Sequence, residues 1–152
     1  MAVDPLDPSH EEALLRARMT AVLSSLALTV AMAVSGTPAA AAPAGEYVAT
    51  LRVGEGANTE YFRIHLVEAA DVTAAFASLN LQSNQFPNGL IVRTGPEVNV
   101  GYSWHLDPAD VEFVDFTIEL CDGLPSDVES GALTSDRYCP WSARVVRMTR
   151  VR

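Results

Sequence analysis

The 152-residue sequence predicts an α+β fold: a small, mainly antiparallel β-sheet of about six strands with one packed helix and one disulfide. Three observations lead there. Several stretches alternate apolar and polar residues between turn-forming ones, the pattern of half-buried strands. Ala69–Leu79 switches to a helical period. Both cysteines, Cys121 and Cys139, follow an N-terminal segment that reads as an export leader.

The leader comes first in the chain. Arg16 and Arg18 precede Met19–Val34, sixteen residues without a charge, and Pro38 and an alanine-rich run to Ala44 follow. Positive flank, short apolar stretch and small-residue region make a secretory signal peptide over residues 1–44, with cleavage after Ala44 or Ala41. The competing reading is a retained anchor or a buried helix. A span needs about 20 apolar residues, whereas this stretch is short, rich in Ala, Ser and Thr, and ends in helix breakers. The acids Asp4, Asp7, Glu11 and Glu12 ahead of it fit a long n-region or a start site further in.

The expected domain, residues 45–152, then holds 108 residues, with eight arginines, no lysine and fifteen acids, a net charge of −7. That is long enough to bury a core. With 49% apolar residues in the whole chain, wholesale disorder is excluded. The acidity argues against nucleic acid as a partner, because counterion release needs clustered cations. After cleavage the expected product is secreted and extracellular, with no membrane attachment.

The elements follow in order. Glu46–Val53 is β-rich, Gly54–Thr59 forms a turn, and Glu60–Val67 alternates with Phe62, Ile64 and Leu66 on one face, together a hairpin. In Ala69–Leu79, Val72, Ala75, Phe76 and Leu79 make one helical stripe, with Asp71 in the first turn where the helix dipole favours an acid. Leu90–Val92 is a short strand ended by Gly95-Pro96, and Tyr102–Leu106 is another. Asp107–Asp110 is a turn built on Pro108. Val111–Cys121 alternates, placing Val114, Phe116, Ile118 and Leu120 on one face. Pro125–Glu129 makes one helical turn, and Ser142–Thr149 is the last strand.

In an exported domain two cysteines read as one disulfide, Cys121 to Cys139. Closing that loop stabilises the fold by roughly 3 kcal/mol on the chain-entropy model. The alternatives are a metal pair or a catalytic thiol; two cysteines alone do not complete a zinc site, and neither lies in a CxxC.

Three motifs stand out. Residues 99–108 read Asn-Val-Gly-Tyr-Ser-Trp-His-Leu-Asp-Pro, residues 111–122 form an aromatic-rich stretch ending Glu-Leu-Cys-Asp, and residues 139–144 read Cys-Pro-Trp-Ser-Ala-Arg. In this order they resemble a family of small domains found at the N-terminus of a eukaryotic calmodulin-binding protein and in exported bacterial proteins. Val100 and Gly101 stand where the family has Pro-Pro, and Gly123–Tyr138 is shorter than its acidic helix and glycine loop. The resemblance implies an exported bacterial domain that inherits a calmodulin-binding label. It implies no agreed activity, catalytic residue or cofactor. Calmodulin itself is a doubtful partner, since it prefers a basic amphipathic helix with bulky anchors and this domain is acidic.

Candidate sites cluster in those motifs. His105 and Asp107 share a strand face at i and i+2, with Glu119 on a strand expected beside them; a histidine with two carboxylates suits acid–base work or a metal. The competing reading is a structural turn capped by Asp107. Asp107, Asp110, Glu112 and Asp115 form a dense acidic stretch that matches no EF-hand loop, so a solvated face is expected and no metal site is assigned. Ser103 and Ser142 lie in no nucleophile elbow. Tyr102, Trp104 and Trp141, with Tyr138 nearby, supply aromatic surface for a sugar or peptide or else pack around the disulfide. Arg144, with Arg147, Arg150 and Arg152, gives a basic end suited to an anionic surface or to a last strand. Gly123–Asp136 is the one stretch that could serve as an inhibitor loop. The expected function is a secreted, non-enzymatic binding domain whose partner is an unknown protein or extracellular ligand. The alternative is a small secreted hydrolase or metal-dependent enzyme built on His105, Asp107 and Glu119.

Overall fold

A computed structural model describes residues 44–151. The expected leader up to residue 43, and Arg152, lie outside the described residues. The elements are β1 (Tyr47–Val53), β2 (Glu60–Leu66), α1 (Ala69–Leu79), β3 (Phe86–Val92), β4 (His105–Leu106), β5 (Glu112–Val114), α2 (Pro125–Ser130), β6 (Arg137–Tyr138) and β7 (Arg144–Arg150). The α+β class holds, with seven strands in two antiparallel sheets rather than about six in one.

The first sheet has the order β2-β1-β7. Strict alternation sets its register: Tyr47, Ala49, Leu51 and Val53 of β1 and Phe62, Ile64 and Leu66 of β2 are buried, and the residues between them face outward. The expected hairpin is present, paired from Tyr47↔Leu66 to Val53↔Glu60. Its turn needs Gly54, at φ +80°, because a Cβ there would run into the Asn58 carbonyl. β7 pairs with β1 and carries one extra residue, Val146, where the register slips between Thr50↔Arg147 and Leu51↔Val145.

Helix α1 packs against β7. Val72 and Ala75 are buried, while Phe76 and Leu79 pack against the core from its margin, and the Phe76 ring meets Tyr47 edge-on at 5.3 Å. The helix also buries Ser78, whose Oγ accepts from the Val145 amide beside the bulge at 3.4 Å.

The second sheet is organised on β3, which pairs with β5 through Phe86–Asn88, with β6 through Gly89–Leu90 and with β4 through Ile91–Val92. Pro87 falls where β5 is the only neighbour, a position that tolerates the missing N–H. Trp104, Tyr138 and Phe62 join the two sheets in one aromatic cluster, with Tyr138 edge-on to Phe62 at 5.3 Å and to Trp104 at 5.4 Å.

Two expected strands are shorter than their alternation suggests. Val111–Cys121 yields only β5, because β3 begins at Phe86, opposite Val114, and leaves nothing beyond to pair with. The chain turns away there, leaving Phe116, Ile118 and Leu120 exposed at 82%, 63% and 77%, against the expected buried face. It re-enters through the 3-10 turn Glu119–Cys121. Tyr102–Leu106 yields only β4, since successive turns (Asn99 N–H to Pro96 O, Tyr102 N–H to Asn99 O) occupy the preceding residues. The expected disulfide joins Cys121 to Cys139, with Cα atoms 5.1 Å apart.

Candidate functional site

The motif residues are largely architectural. Asn99 is fully buried: its Nδ2 donates to the Trp104 carbonyl at 3.0 Å, and its Oδ1 accepts from the Arg63 amide at 2.9 Å. It bolts the 96–104 loop to β2. Trp104 is buried in the aromatic cluster, and its indole N–H has no hydrogen-bond partner. Tyr102 is half-buried, with its phenol 3.4 Å from Glu60; burial, then the Glu60 charge, pushes its pKa up to about 12. Burial also raises the Tyr138 phenol, which donates to the Gly123 carbonyl.

His105 is bound to a backbone group: Nδ1 lies 2.7 Å from the Gly95 carbonyl, so this nitrogen carries the proton and donates. Asp107 accepts from the Ala109 amide at 3.0 Å and closes its own turn. Glu119 lies on the 3-10 turn rather than on a strand beside them. Among the described residues no group of three or more His, Cys, Asp or Glu side chains gathers as a cation site. Ser103 bonds to Glu129, and Ser142 Oγ accepts from the Gly54 amide. Trp141 is exposed, its amide held by Asp122, and Arg144 donates to the Ala143 carbonyl.

The acidic stretch ties the second sheet together. Asp110 Oδ2 accepts from the Leu90 amide at 2.8 Å, where the 107–110 turn interrupts the ladder, and also pairs with Arg137 at 2.9 Å. Glu112 accepts from Asn88, and Asp115 accepts from Gln85. The 123–136 stretch is likewise fixed: Arg93 donates to the carbonyls of Val128, Leu133 and Ser135 at its base.

A second region went unnoticed in the sequence. On the outer face of the first sheet, Arg63, Thr50 and Arg147 stand in one row across the three strands. His65, Val48 and Thr149 form the next row, and Tyr61, Arg52 and Arg144 the row beyond. With Val98 and Val100 of the 96–104 loop as one wall, this face forms an open groove of about 410 Å³. His65 pins that loop: its Nδ1 lies 2.7 Å from Glu97 and its Nε2 3.1 Å from Glu46. Alternation alone marks Arg63 as outward-facing. The β1–β7 pairing that sets Arg147 beside Thr50 joins residues almost a hundred positions apart, and no local pattern announces it.

The fold and motif geometry define a small disulfide-stapled α+β domain whose signature residues hold loops to sheets. The family model for the BP-74 N-terminal domain, a calmodulin-binding-protein N-terminal family, matches residues 47–152, and the chain belongs to that family. No curated protein and no solved structure matches it.

Proposed function

We propose that this is an exported, non-enzymatic binding domain that presents the open face of its first sheet to a ligand. The observation that carries the reading is the groove itself: a concave, partly apolar floor flanked by arginines, on the outer face of the sheet. The leader-like segment and the disulfide support export, since disulfides persist in oxidising compartments. His105 and Asp107, the strongest catalytic candidates, each hold a backbone turn instead of facing one another. Calmodulin remains a poor fit, because neither α1 nor α2 contains an arginine or lysine.

A thermal-shift screen of metals, oligosaccharides and peptides, run beside hydrolase assays and with His105→Ala as control, tests this reading. The expected result is a ligand that raises the melting temperature of both proteins, with no turnover. Metal-dependent turnover that disappears in His105→Ala would instead establish the enzyme alternative.

A further inference from the structure

The groove has a charge that the domain as a whole does not. Four of the eight arginines in residues 45–152, namely Arg52, Arg63, Arg144 and Arg147, lie on this one face, although acids outnumber arginines fifteen to eight. Such an excess of acids should leave few arginines without a carboxylate. Yet among the described residues the only arginine in an ion pair is Arg137, on the second sheet. Arg63 and Arg147, the two that line the groove, have no acidic partner there. The acids at the groove's end, Glu46 and Glu97, are engaged by His65.

The spacing narrows the ligand. Arg63 and Arg147 flank β1 on either side, so their backbones stand about 10 Å apart at ordinary strand spacing. In an extended chain, alternate side chains fall on one face roughly 7 Å apart. Long guanidinium side chains close the remaining gap and can each grip a carboxylate bidentately. Between them Thr50 offers a hydroxyl, and Val48, Val98 and Val100 supply apolar contact. A polyanion such as nucleic acid would bring many charges against a domain of net charge −7, whereas a short acidic segment brings only those the groove can meet.

Resting on the binding reading above, we infer that the groove takes an extended acidic peptide segment of a partner protein, one that presents carboxylates from alternate residues with an apolar side chain beside them. The recognition is a charge-complementary pairing of Arg63 and Arg147 with two carboxylates across Thr50.

The test is fluorescence anisotropy on the purified protein with a fluorescein-labelled peptide containing Glu-Ser-Glu-Ser-Val. Matched peptides carry Lys or Gln in place of Glu, and a single-stranded oligonucleotide serves as polyanion. The expected result is saturable binding of the Glu peptide alone, weakened about tenfold between about 50 and about 500 mM NaCl. Arg63→Gln with Arg147→Gln should weaken it by at least about tenfold, and a Lys pair at the same positions should restore part of it. Both residues are exposed, so unchanged melting temperatures will show that the variants fold. Equal binding of the Lys or Gln peptide, tighter binding of the oligonucleotide, or indifference to the double substitution would each overturn the inference. If the Glu peptide fails while another ligand from the thermal-shift screen binds and is lost in the double variant, the acidic-peptide inference falls and the binding reading stands.

Discussion

The two sheets are built by different means. In the first, β1 pairs with β2 over seven residues and with β7 along most of its length, and main-chain ladders carry the register. In the second, β4, β5 and β6 contribute only two or three residues each, and β3 is held by side chains as much as by backbone. Asp110 receives the Leu90 amide that the interrupted ladder leaves over, and Arg137, Asn88 and Glu112 interlock beside it. The contrast separates scaffold from surface. Acids in the second sheet are taken up by its own structure, while the first sheet keeps its backbone satisfied and its outer arginines available.

Substitutions at the junction between the sheets should show the largest effect. Trp104→Ala opens a cavity where Phe62 and Tyr138 meet and is expected to lower stability by about 4 kcal/mol in urea unfolding. A loss near that of an exposed residue would mean the sheets do not share a core there. Within the second sheet, Asp110→Ala removes the acceptor for Leu90 and the partner of Arg137, for an expected loss of about 1 kcal/mol. Hydrogen exchange should quicken at Leu90 and leave β1 protected; equal quickening in both sheets would erase the distinction between them.

Tyr102, which bridges the 96–104 loop to Glu60 at the edge of the first sheet, gives a pH signature. Its phenol is raised from 10.0 to about 12 in the fold, so the unfolded chain releases this proton first. Stability from this group is complete below pH 10 and declines as pH rises toward 12. Tyr102→Phe should flatten part of the alkaline decline in thermal melts, and an unchanged decline would contradict the assignment. The smallest effect is expected from Phe116→Ser, Ile118→Ser and Leu120→Ser, each within about 0.5 kcal/mol of the parent because these side chains are exposed. Losses of core size would restore the alternating strand that the sequence suggests.

Legibility in the sequence follows the same division. The hairpin, α1 and β7 were readable because alternation and helical period persist over seven residues or more, and the disulfide followed from two cysteines behind a leader. Val111–Cys121 misled because alternation reports a side chain's direction only while a partner strand continues, and β3 begins at Phe86. His105 and Asp107 drew notice as a pair, but the Gly95 carbonyl that takes up His105 lies ten residues away across a turn. The groove was hidden for a related reason. Arg63, Thr50 and Arg147 come from three strands whose adjacency only the fold supplies.

Amide chemical-shift mapping of the isotopically labelled protein during titration with the Glu-Ser-Glu-Ser-Val peptide tests the central claim most directly. The perturbed amides should centre on Val48, Thr50, Arg63, Val98, Val100 and Arg147, with the His105–Asp107 turn unmoved. Perturbations centred on His105, or on the exposed 116–120 stretch, would contradict it.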